Sequence, residues 1–176
     1  MKRRTVRLLW AAAILLLLAE LIVVNRPERS PAPVGAAPGE RMADFSVSCV
    51  DGSEFTLSAH RGKVVVINLW ATWCTPCVKE LPNFDRLQSE HPADAVVLAL
   101  HSPPVTTDVA EYLSAFSYGI AFAVDTDGSL SEILDASTVL PQTVIIGPDG
   151  IVTYNQSGAL SYEKLLALVT EAKGQK

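Results

Sequence analysis

The chain has 176 residues, enough for one domain of ordinary size with some sequence to spare, and 49% of them are apolar. Its net charge of −5 is unevenly split: residues 1–40 hold six of the 14 Lys and Arg but three of the 19 Asp and Glu, so the rest carries eight basic and 16 acidic residues. An acidic main body with no basic run beyond the first seven residues argues against nucleic-acid binding, and three cysteines have neither the even count nor the density of a disulfide-stapled secreted domain.

The N-terminus opens with Lys2, Arg3, Arg4 and Arg7, then an apolar run from Leu8 to Val24 broken only by Glu20. As a helix that run reaches about 26 Å, close to the minimum for crossing a bilayer. Basic residues ahead of it place that end in the cytoplasm, and Glu20, one turn from the exit end, can snorkel to the outer interface. Residues 1–24 are therefore expected to be a signal anchor, with a cleaved signal peptide as the alternative. Both put the remainder outside the cytoplasmic membrane. Residues 25–41, rich in proline and poor in apolar periodicity, read as an extended solvated linker, and residues 42–174 as the folded domain.

In that domain, Phe45–Val50 and Glu54–Leu57 alternate on either side of Asp51-Gly52, a hairpin signal. Lys63–Leu69 carries a continuous β-branched run, expected of a strand buried on both faces. Residues 75–90 have helical spacing, with Val78, Leu81, Phe84 and Leu87 on one face and Pro82 expected to kink it. Further strands are expected at Ala95–His101, Ala121–Val124, Thr143–Ile146 and Ile151–Asn155, and helices at Val109–Phe116, Ser129–Leu134 and Ser161–Ala172, the last capped by Ser161. Gly147-Pro-Asp-Gly150 reads as a tight turn between the last two strands. This order implies an α/β sandwich around a mixed sheet.

The chemistry sits where the buried strand meets the first long helix, at Cys74-Thr75-Pro76-Cys77. Cysteines at i and i+3 lie within one turn, a separation that suits a disulfide. Cys74 is placed among the unpaired N–H groups and positive dipole end of the helix, which favour a thiolate and make it the attacking sulfur. Cys77, one turn deeper, is placed to resolve a mixed disulfide. Pro76 suits a first helical turn. A zinc site needs four ligands, and Cys49, His60, His91 and His101 lack paired spacing, so no metal is expected.

Residues 63–82, KVVVINLWATWCTPCVKELP, resemble the thioredoxin superfamily, and within it the membrane-anchored branch of TlpA-, ResA- and CcmG-like reductases. The resemblance runs over residues 42–174. It implies a thioredoxin-like three-layer α/β/α sandwich with a mixed central sheet, an N-terminal β-hairpin and a central insertion between residues 95 and 135. It also implies that Leu140-Pro141 is a cis-proline loop facing the disulfide, with the Leu140 backbone offered to a substrate strand. Trp73 matches the ring beside the reactive cysteine, Trp70 reads as core, and Glu80 matches an acid that some members place near the cysteines, where it can accept a proton. Thioredoxins proper carry a buried acid where Asn68 stands, which leaves Glu80 or water for proton transfer. His101, before Ser102-Pro-Pro104, reads as a solvated loop histidine, and Cys49 as a core-facing free thiol.

The resemblance implies a disulfide reductase acting on exported proteins, apocytochrome c among the candidates, without a cofactor and re-reduced by a membrane electron donor. A disulfide oxidase or isomerase using the same cysteines is the alternative. A thiol peroxidase is a weaker one, because Ala71 stands where such enzymes place a threonine.

Overall fold

The structure, a computed structural model, describes residues 32–174. The expected anchor at residues 1–24 lies outside them. Among the described residues no helix is long and apolar enough to cross a membrane.

A five-stranded mixed sheet organises the domain, in the order β5-β4-β3-β6-β7. Its strands are β3 (Val64–Trp70), β4 (Ala95–His101), β5 (Ala121–Val124), β6 (Gln142–Ile146) and β7 (Val152–Ser157). β3 pairs in parallel with β4, and β4 with β5; β6 runs antiparallel to both β3 and β7. Every residue of β3 is buried, as its β-branched run requires of a central strand with both faces covered. Val64, Val66 and Trp70 face one core; Val65, Ile67 and Leu69 face the other.

The first core lies under α1 (Thr75–Glu90), α2 (Val109–Leu113) and α4 (Tyr162–Gly174). The second lies under the hairpin β1 (Ser46–Ser48) and β2 (Glu54–Thr56), a 3-10 turn at Leu57–His60, and α3 (Ser129–Ile133). This is the expected α/β/α arrangement, with the hairpin sharing the second outer layer. α1 buries Cys77, Glu80, Leu81, Phe84 and Leu87, and runs without a break through Pro82. Phe84→Ala, which empties a fully buried ring site, is expected to cost about 3–5 kcal/mol in chemical denaturation of the oxidised protein.

Three expectations are corrected. Residues 33–41, assigned to a solvated linker, dock on the domain. Gly39 N–H donates to the Val152 carbonyl, Val152 N–H to Glu40, and Met42 N–H to Gly150. The physical reason is the open edge of β7, whose backbone groups need partners; at the opposite edge Val50 N–H donates to the Phe122 carbonyl of β5. α2 ends at Leu113 rather than Phe116. There the Ser114 hydroxyl donates to the Glu111 carbonyl, a local bond that competes with helix continuation, and Phe116 stacks on Tyr118. His101, read as solvated, is fully buried as the last residue of β4, because its register partner is the core residue Trp70. Cys49 is free and buried as expected.

Candidate active site

β3 delivers the chain to Trp70, a turn over Ala71–Cys74 follows, and α1 starts at Thr75. Cys74 is its N-cap. Cys74 and Cys77 form a disulfide with their Cα atoms 5.3 Å apart, the separation that i and i+3 spacing supplies. The Cys77 N–H donates to Cys74 Sγ at 3.4 Å, so one of the orphan amides of the helix start is aimed at this sulfur. Cys74 is 5% exposed and Cys77 fully buried. The outer sulfur is thus the one a substrate reaches. Pro76 occupies the first turn of α1, where its missing N–H leaves no backbone bond unmade.

One turn beyond Cys77, Glu80 is turned into the protein and only 3% exposed. Its Oε1 accepts from Asn68 Nδ2 and its Oε2 from the Leu160 N–H, both at 2.8 Å. Burial pushes the carboxyl up to about 7, against the two hydrogen bonds, which pull it down. A carboxyl poised there exchanges its proton near neutral pH. Asn68 shares the α1 face of β3 with Val66 and Trp70. Its Oδ1 makes no hydrogen bond to a protein group. A carboxylate takes the amide N–H of Asn68, and a protonated Glu80 can donate to the same side chain after an amide flip. Asn68 is therefore no proton acceptor itself but a partner suited to both states of Glu80. Pro76, Glu80 and Leu160 line a shallow pocket of about 280 Å³ at the surface.

Trp73 is 53% exposed, and its Nε1–H donates to the Pro104 carbonyl at 3.4 Å. It lines a cleft of about 340 Å³ together with Leu140, Pro103, Pro104 and Thr138. Among the described residues no charged side chain lines this cleft. The Leu140–Pro141 peptide is cis, and so is Pro103–Pro104. Of the residues expected in the site, the structure joins Cys74 to Cys77, brings Trp73 and Leu140 to one cleft, and brings Pro76 and Glu80 to another. Pro141 is buried at the start of β6, its carbonyl accepting from Gly158 N–H at 2.8 Å.

The Redoxin profile matches residues 37–168. The chain belongs to the Redoxin family. Thiol-disulfide oxidoreductase ResA of Geobacillus thermodenitrificans is 29% identical over 168 residues, covering 94% of this chain and 95% of that protein. ResA of Bacillus thuringiensis strain Al Hakam is 32% identical over 130 residues, covering 72% of this chain and 73% of that one. Among solved structures, the pneumococcal exposed lipoprotein thioredoxin Etrx1 of Streptococcus pneumoniae TIGR4 superposes with a TM-score of 0.68 at 29% identity, over 73% of this chain and 99% of that one. A thioredoxin-family thiol:disulfide interchange protein of Chlorobium tepidum TLS has the same fold, with a TM-score of 0.67 at 24% identity over 84% and 99% of the two chains. This Redoxin-family chain is a thiol–disulfide oxidoreductase of the ResA-like, thioredoxin-superfamily type.

Two parts of the Redoxin site escaped sequence reasoning. The Leu160 N–H that holds Glu80 comes from 80 residues away, and nothing local marks it. The Pro103–Pro104 wall of the Trp73 cleft had a visible signal, the paired prolines after a strand, but no partner to assign to them.

Proposed function

We propose that this oxidoreductase reduces disulfides in exported proteins, apocytochrome c among them, from a position outside the cytoplasmic membrane where residues 1–24 tether it. The observation that carries the reading is the Cys74–Cys77 disulfide at the start of a 16-residue helix with a buried carboxyl one turn further on.

The reduced Cys74 thiolate attacks one sulfur of the substrate disulfide. A Cys74–substrate disulfide forms and the other substrate sulfur leaves as a thiolate, which takes up a proton. Glu80 receives the Cys77 proton, and the Cys77 thiolate attacks Cys74 Sγ and expels the second substrate sulfur. Two electrons pass to the substrate and the enzyme is left as the Cys74–Cys77 disulfide. A membrane dithiol donor then restores it by the reverse exchange. Trp73 and Leu140, which line one cleft, offer an uncharged wall to the residues beside the substrate cysteine, with the Leu140 backbone pairing with them. Charge supports this direction. Glu80 as a carboxylate opposes a second negative charge at Cys77, which disfavours the reduced pair and makes it a better electron donor.

Full-length Cys77→Ser, expressed in cells, is expected to accumulate mixed disulfides through Cys74 with exported, cysteine-bearing proteins, released by dithiothreitol. The wild-type pair is expected to titrate near the thioredoxin potential, about −270 mV. Absence of any trapped protein together with a pair that never cycles would sink the redox reading. A potential near that of DsbA, about −120 mV, would reverse the direction to oxidase, and trapped partners confined to the cytoplasm would remove the proposed location.

A further inference from the structure

His101 ends β4 beside Trp70, the last residue of β3. Its buried ring meets Trp70 edge-on, with centroids 5.2 Å apart and planes at 74°. Its Nε2 accepts the backbone N–H of Thr72 at 3.1 Å. That amide lies in the turn Ala71–Cys74, where Cys74 N–H donates to the Ala71 carbonyl at 3.0 Å. The residues after His101 extend the support: Ser102 N–H donates to the Trp70 carbonyl at 2.8 Å, and the Trp73 indole to Pro104 at 3.4 Å. The end of β3 and the turn that presents Trp73 and Cys74 are therefore fastened to residues 101–104 at three points, Trp70, Thr72 and Trp73.

An imidazole nitrogen accepts only through its lone pair, so the Thr72 bond requires Nε2 without a proton and the ring proton on Nδ1. Protonation would set two donors against each other in a buried site and leave a buried amide orphaned beside a charge. Burial holds the imidazole below the usual histidine range, which keeps it neutral at physiological pH.

Among the described residues the surroundings supply no ion-pair partner. From α2, Tyr112 lies beyond Trp70, with ring centroids 6.1 Å apart. Asp125, following β5, donates its N–H to the His101 carbonyl, but its carboxylate accepts from the Leu130 and Ser131 amides. On α1, Cys74 and Cys77 are joined, Lys79 is exposed, and Glu80 is held by Asn68 and Leu160. Among the described residues none of these makes an ion pair with His101.

We propose that neutral His101 is a positioning residue for thiol–disulfide exchange: by accepting the Thr72 N–H it holds the Ala71–Cys74 turn in place, and acidification that protonates it loosens the seat of the Cys74 sulfur and the Trp73 ring.

Nitrogen-resolved NMR of the full-length oxidised protein in detergent, followed across pH, tests this without a variant. His101 is expected as the Nδ1–H tautomer, and the Thr72 amide is expected to shift and lose exchange protection with the same midpoint as the ring. An Nε2–H tautomer, or a Thr72 amide indifferent to the His101 titration, overturns the proposal. Kinetics toward oxidised glutathione add a second readout. H101L is expected to react about tenfold slower at neutral pH, and H101Q, whose carboxamide oxygen accepts without titrating, within about twofold of wild type. Equal rates for the two variants overturn the proposal. Should H101L fail to fold, the tautomer and the Thr72 titration decide the matter.

Discussion

Cys74→Ser is expected to lower the rate of disulfide reduction by more than about 10³-fold, because a serine hydroxyl is not ionised at neutral pH and a thiolate is the attacking species. The change is expected to leave the fold in place. Serine is a strong N-cap, so it can keep the Cys77 N–H occupied where Cys74 Sγ now accepts it. The lost disulfide closes a loop between residues only three apart in sequence, and short loops contribute least to the entropy of the unfolded chain. Cys77→Ser is expected to differ in kind, forming the mixed disulfide at close to the wild-type rate and failing to release it. Stopped-flow measurement of the first turnover separates the two, and alkylation of the reduced wild type is expected to mark Cys74 first, since Cys77 is fully buried. If Cys77→Ser abolished the first step and Cys74→Ser spared it, the assigned roles would be exchanged.

The features read correctly from the sequence are those whose causes are local. The run from Lys63 to Leu69 demanded a strand covered on both faces, and β3 is that strand. The spacing of Cys74 and Cys77 demanded one helical turn, and they are joined across it. The cis Leu140–Pro141 peptide came through the family resemblance rather than from periodicity. What was not legible depends on partners distant in sequence. Residues 33–41 look solvated by composition and dock only because β7 leaves an edge beside them. His101 looks like a loop residue because Pro103 and Pro104 follow, yet register with Trp70 buries it. Glu80 was visible as a candidate, but its unusual state arises from burial, which outweighs the hydrogen bonds from Asn68 on β3 and the Leu160 amide just before α4, surroundings that exist only after the sheet and both helices have packed.

Glu80 supplies the second large effect, in activity and in stability. Burial lifts its carboxyl from an ordinary 4.5 to about 7, so the native state at high pH holds a carboxylate that the unfolded chain would keep in water. For a group whose folded pKa is raised, the favourable contribution is complete below the unfolded value and is lost as pH climbs through the folded one. The oxidised protein is therefore expected to lose on the order of 2–3 kcal/mol between about pH 4.5 and 8.5 from this group alone. Glu80→Gln removes that dependence. Its carboxamide can accept the Leu160 N–H and donate to the free Oδ1 of Asn68, so it is expected to be more stable than wild type above pH 7 and to lose the advantage by about pH 4.5. Denaturation of the disulfide form at several pH values checks this with neither active-site cysteine titrating, and a stability difference that does not change with pH would place the carboxyl's titration elsewhere. The kinetic consequence runs the other way. A proton acceptor works only when deprotonated, so the wild-type rate is expected to rise through about pH 7, whereas Glu80→Gln is expected to lack that limb and to resolve the mixed disulfide about 10²-fold more slowly. Higher stability together with slower exchange in a single variant is what a functional buried acid produces, and a carboxyl serving only to pack α1 against β3 would not give that opposition.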